Sequence, residues 1–116
     1  MRTLTSCAVA AVAGCIAFAA NACESPAVVA IPDGKTSTLE QMLAAQKDVK
    51  AYQTKMNEYL ACIDSETDAQ GEQAPNDYKA LMVNRHNAAV AEMEGVAAAF
   101  NDQIKAYKAA NPSPAK

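Results

Sequence analysis

The chain has 116 residues, of which 51% are apolar, and it carries 10 Lys and Arg against 13 Asp and Glu for a net charge of −3. A mildly acidic chain without a basic cluster argues against electrostatic capture of nucleic acid or of an anionic lipid surface. Its length allows one small domain.

Met1 to Ala22 opens with the single cation Arg2, continues through an apolar run from Cys7 to Ala20 broken only by Gly14, and closes Ala20-Asn21-Ala22. This reads as a secretory signal peptide with cleavage after Ala22. The run is shorter than the roughly 20 residues that a bilayer-spanning helix needs, and no cationic flank follows it. A rival reading is a lipoprotein signal, because Val12-Ala13-Gly14-Cys15 has the form of a lipobox; lipidation at Cys15 would strand an apolar leader, Ile16 to Ala20, on the mature chain. Cleavage after Ala22 removes Arg2 and leaves Cys23 to Lys116, with nine cations against the 13 anions and a net charge of −4. The Ala-rich signal and body suit a periplasmic or secreted bacterial protein.

Of the four cysteines, Cys7 and Cys15 leave with the signal, and the remaining pair, Cys23 and Cys62, reads as one disulfide. A redox-active or metal-binding pair would ordinarily be closely spaced, and these stand 39 positions apart. Residues 23–37 form an arm in which Pro26, Pro32 and Asp33-Gly34 exclude both helix and regular strand. The arm nonetheless carries Val28, Val29 and Ile31, which need burial. A helix from Ser37 to Cys62 rises about 37 Å, and the extended arm reaches up to roughly 45 Å. The arm can therefore run back along the helix and lock at its far end.

A first helix is expected over about 38–65. Ser37-Thr38-Leu39-Glu40 has the form of a capping box, with Ser37 as N-cap and Glu40 reaching back. Met42, Ala45, Val49, Tyr52, Met56, Tyr59 and Ile63 recur at spacings of three and four, an apolar stripe flanked by Leu39 and Leu60, while Lys47, Asp48, Lys50, Lys55 and Glu58 make a solvated face. A turn is expected at 66–75, where Gly71 and Pro75 break the pattern among Asp64, Glu66, Asp68 and Glu72. A calcium loop starting at Asp64 would want glycine at its sixth place and glutamate at its twelfth, but finds Ala69 and Pro75, so a solvated turn is the better reading.

A second helix is expected over about 76–110, opened by Pro75 and Asp77 and closed before Asn111-Pro112, with residues 111–116 as a disordered tail. Its stripe is Tyr78, Met82, Ala89, Met93, Val96, Phe100, Ile104 and Tyr107, and alanines at 88, 89, 91, 97, 98 and 99 keep it slim. Gly95 costs it about 1 kcal/mol. The fold class expected is all-α: an antiparallel two-helix hairpin of coiled-coil type with an extended N-terminal arm pinned by one disulfide. Folding about the turn centre sets Ile63 near Tyr78, Val49 near Met93 and Met42 near Phe100. Two helices alone leave their stripes wet along the margins, so the arm or a partner hairpin must cover the seam.

The sequence contains no supported Ser-His-Asp set, no Gly-rich phosphate loop and no His-rich metal motif, and no cofactor is implied. Met82, His86 and Met93, with Met56 facing the same region, would suit Cu(I). Methionines packing an Ala-rich helix pair are the simpler account. Tyr52, Tyr59, Tyr78 and Tyr107 would line a polar-tipped ligand groove, or serve as core bodies with hydroxyls at the rim. Glu92 and Glu94, two apart on a helix, point away from each other and cannot share an acid–base site.

Leu39-Glu40-Gln41-Met42, Ala45-Gln46, Val49-Lys50, Tyr59-Leu60-Ala61-Cys62-Ile63 and Phe100-Asn101-Asp102-Gln103-Ile104-Lys105-Ala106-Tyr107-Lys108 resemble a group of small exported, Ala-rich helical proteins of proteobacteria. Members of that group also tend to carry a cysteine-proline arm directly after the signal. The resemblance implies compartment and fold, and it supplies no catalytic residues. The sequence therefore points to a non-enzymatic helical protein that binds an envelope protein or assembles with itself, without stable membrane insertion. The alternative is a small-ligand or Cu(I) carrier using the Met- and Tyr-lined groove.

Overall fold

The computed structural model describes residues 23–113; the segment 1–22, with the expected cleavage site at Ala22 and the rival lipobox at Cys15, lies outside the described residues, as do positions 114–116 of the expected tail. Two helices, α1 (Leu39–Gln70, 32 residues) and α2 (Asn76–Ala110, 35 residues), pack against each other as a hairpin. Among the described residues there is no strand, and no helix is long and apolar enough to cross a membrane.

The cap of α1 sits one residue later than expected. Thr38, not Ser37, is the N-cap: its hydroxyl accepts from the Gln41 amide at 3.2 Å, and the Gln41 side chain accepts from the Thr38 amide at 2.9 Å. Two boxes overlap in the sequence, Ser37-x-x-Glu40 and Thr38-x-x-Gln41, and the turn before the helix decides between them. There the Ser37 hydroxyl donates to the Asp33 carbonyl at 2.6 Å, so it is already committed.

At its other end α1 runs on to Gln70, five residues past the expected stop at 65. No breaker stands between Asp64 and Gln70, so the helix continues until Gly71, whose φ of +69° suits glycine and whose amide closes onto the Thr67 and Asp68 carbonyls. Asp64, Glu66 and Asp68 accordingly project from a helix rather than converging in a loop. The shorter connection also moves the hairpin register. Tyr78 reaches the Glu66 carbonyl at 3.4 Å, three residues beyond the expected partner Ile63, and Tyr52 pairs with Glu92 at 3.0 Å.

All seven stripe residues of α1 are buried, with Met56 and Ile63 fully enclosed. On α2, Met82, Ala89, Val96 and Phe100 are buried, while Tyr78, Met93, Ile104 and Tyr107 are half-buried against them. Leu39 remains 58% exposed. The small side chain of Ala89 occupies a core position, which lets the helices approach closely.

The arm supplies the third layer. Cys23 is buried and bonded to Cys62, with Cα atoms 5.7 Å apart, and the arm's far end meets α2 where the Gly34 amide donates to Gln103 Oε1 at 2.9 Å. Because the extended chain turns successive side chains to opposite faces, Val29 and Ile31 pack on the core while Val28 is left 68% exposed. Gly34 is pressed so closely on α2 that a Cβ there would collide with the Gln103 carbonyl.

Two stability effects follow from this tethering. Cys62→Ser should lower unfolding stability by about 4 kcal/mol, the loop-closure value for a bridge of this span, as measured by urea denaturation. Gly34→Ala should lower it by about 1–3 kcal/mol through overpacking. Hydrogen exchange should show the loss concentrated at the distal arm and in α2 near Gln103, with the disulfide end still protected.

Candidate functional site

The hairpin has two long edges where its helices meet, and they differ. One lies under the arm. There the α2 residues Arg85, Glu92 and Gln103 occupy the phase of the apolar stripe, three after Met82, three after Ala89 and three after Phe100. Arg85 is the centre of this edge. Its Nη2 donates to the Cys23 carbonyl at 2.8 Å, its Nε donates to the Tyr59 hydroxyl at 3.3 Å, and its Nη1 lies 3.8 Å from Glu66 Oε2. The guanidinium also stands 5.6 Å from the centre of the Tyr59 ring, a cation–π contact. Glu66 Oε1 in turn accepts from the Cys23 amide at 3.2 Å.

These contacts commit three of the four tyrosines that a ligand groove would have used, while Tyr107 is half-buried against the core. Tyr59 accepts from Arg85, Tyr78 donates to the Glu66 carbonyl, and Tyr52 donates to Glu92. Burial, followed by the hydrogen bond to Glu92 and its negative charge, pushes the Tyr52 hydroxyl up to about 12. Cys23, Cys62 and Glu66 converge closely enough to resemble a metal cluster, but both sulfurs are joined in the disulfide and offer no thiolate.

The other edge is open. A depression between the helices is lined by Ile63, Asp64 and Thr67 of α1 and by Lys79, Met82, Val83, His86 and Asn87 of α2, with no residue of the arm. At about 100° per residue, Val83, His86, Val90, Met93, Ala97 and Ile104 form a second stripe beside the core stripe, turned away from Arg85, Glu92 and Gln103. Val83 is 57% exposed, and Leu60, Val90, Met93 and Ile104 are half-buried.

Two of the Cu(I) candidates, Met82 and His86, line this depression together. Met82 is buried and His86 half-buried at the same depression, Met93 lies on the same face but outside its lining, and Met56 is fully enclosed. Glu92 and Glu94 diverge as expected, with Glu92 turned to Tyr52 and Glu94 exposed. The residues that sequence reasoning missed are Arg85 and Gln103. Their signal was a polar side chain recurring in phase with an apolar stripe, which marks the edge that meets a polar backbone.

Compared with protein families, curated proteins and solved structures, the chain finds no match.

Tyr52→Phe isolates the Tyr52–Glu92 pair. It removes a bond worth about 1 kcal/mol and should lower Tm by about 4–8 °C. A hydroxyl that ionises later in the folded chain than in the unfolded one keeps its proton longer when folded. Tyr52 therefore supports the fold below pH 10 and loses that support as pH rises from about 10 to 12. The steepness of alkaline destabilisation in that window should lessen in Tyr52→Phe, measured by urea midpoints across pH.

Proposed function

We propose that the chain is exported, loses Met1 to Ala22, and acts in the periplasm or outside the cell as a non-enzymatic helical protein that binds through the open edge of its hairpin. One observation carries the reading: a depression bordered by both helices and by no part of the arm, continued along α2 by half-buried Val90, Met93 and Ile104. An amphipathic helix or hairpin is the partner such a groove takes, since i, i+3, i+4 and i+7 anchors match its stripe. A second copy of the chain meets that description without any further molecule. Two hairpins joined at their open edges would form a four-helix bundle, with Val83, Val90, Met93 and Ile104 of each α2 in the shared core.

The chemistry within reach supports binding over catalysis. Among the described residues, Arg85, Glu66 and Tyr59 converge at the disulfide end of the arm, Gln103 holds its other end, and Tyr52 pairs with Glu92 between them. The contacts they make lie within the fold.

Sedimentation equilibrium of the processed protein tests the self-assembly form of this proposal. The expected result is a two-chain species at micromolar concentration, converted to single chains by Val83→Glu with helicity unchanged, since Val83 is 57% exposed in one chain. A protein that sediments as one chain at every concentration, and whose behaviour Val83→Glu leaves alone, would rule self-assembly out.

A further inference from the structure

We infer that the α-amino group released at Cys23 by cleavage after Ala22 is an ionic ligand of Glu66, so that the Glu66–Arg85 pair forms a built seat for the processed N-terminus. The inference rests on the processing step proposed above. Its geometric basis is that one ion pair holds both backbone polar groups of Cys23. Glu66 Oε1 lies 3.2 Å from the Cys23 nitrogen, and Arg85 Nη2 lies 2.8 Å from the Cys23 carbonyl oxygen. These contacts span 43 and 62 positions of sequence, on two different helices. The disulfide to Cys62 fixes Cys23 in place, so no further ordering of the terminus is needed.

The charge balance points the same way. The depression around Cys23 is lined by Glu24, Glu58 and Glu66 together with Lys55, and Arg85 faces it from α2. Three carboxylates against two cations leave one negative charge in excess. Hydrolysis of the Ala22–Cys23 amide by a processing peptidase adds one water across that bond. Ala22 departs as a carboxylate, and Cys23 keeps the amine, which takes up a proton because a free α-amino group titrates near pH 7.7–8.0. A neutral amide with one hydrogen becomes an ammonium with three, and the excess negative charge is cancelled. A charge-assisted bond to a carboxylate is stronger than the neutral one it replaces. Processing therefore strengthens the latch that holds the arm.

The experiment begins with the full chain expressed with export, whose product is identified by intact mass. The processed protein and its Glu66→Gln variant are then each compared with a portion acetylated at the α-amine under conditions that spare lysine. Acetylation removes the charge and keeps an amide donor. Loss of the Glu66–Arg85 contact falls equally on both forms and cancels. The expected result is a mass beginning at Cys23, with Glu66→Gln lowering Tm by about 4 °C more in the free-amine form than in the acetylated one, the shift expected for a partly exposed ion pair in a domain of this size. Equal losses in the two forms would overturn the seat while leaving processing intact. A mass beginning at any other residue would overturn the processing step and the seat together.

Discussion

A two-helix hairpin has too few layers to enclose a core, and the fold depends on the third layer that the disulfide holds in place. Residues 23–37 contain no helix or strand and bring few apolar side chains, so contact energy alone would order them poorly. The Cys23–Cys62 bridge removes much of that entropic cost from the folding step by restricting the unfolded chain. Val29 and Ile31 then pack on the core side, and the Gly34 amide closes the distal end on Gln103. The arm is thus held covalently at one end and by a hydrogen bond and close backbone contact at the other.

The covered edge shows how an irregular backbone is accommodated against an apolar stripe. An extended segment without sheet partners leaves amides and carbonyls that need bonds once water is displaced. Arg85, Glu66 and Gln103 meet three of them, at the Cys23 carbonyl, the Cys23 amide and the Gly34 amide. Arginine suits the first of these positions because its planar fork also reaches Tyr59 and Glu66 at once. On the open edge no backbone lies across the groove, and the corresponding positions of α2 are Val83, His86, Val90 and Met93. The contrast between the two flanks of one helix separates the flank that the arm covers from the flank that it leaves open.

Helical periodicity made much of the hairpin legible in advance. All seven residues of the α1 stripe are buried, because a regular spacing of three and four leaves one face with no alternative. Cysteine parity and the reach of an extended segment identified the bridge. The start of α1 was ambiguous between overlapping boxes because Asp33 takes up the Ser37 hydroxyl, a contact that depends on how the preceding turn closes. Its end was placed early because acidic residues from Asp64 onward resemble a solvated turn, although nothing before Gly71 interrupts the helix. That misplacement carried the expected Ile63–Tyr78 pairing with it, since hairpin register follows the centre of the turn.

The sequence by itself determined two amphipathic helices, a break between them that contains Gly71 and Pro75, and an arm long enough to return to Cys62, because each of these follows from local periodicity, backbone restriction or chain length. Only the tertiary structure decided which edge the arm covers, that Val28 faces outward while Val29 and Ile31 face in, and that Arg85 and Glu66 together hold Cys23. Those outcomes depend on the relative rotation and register of two helices and an extended segment. Small shifts in either would exchange the partners of every polar side chain between them, and no local pattern fixes such shifts.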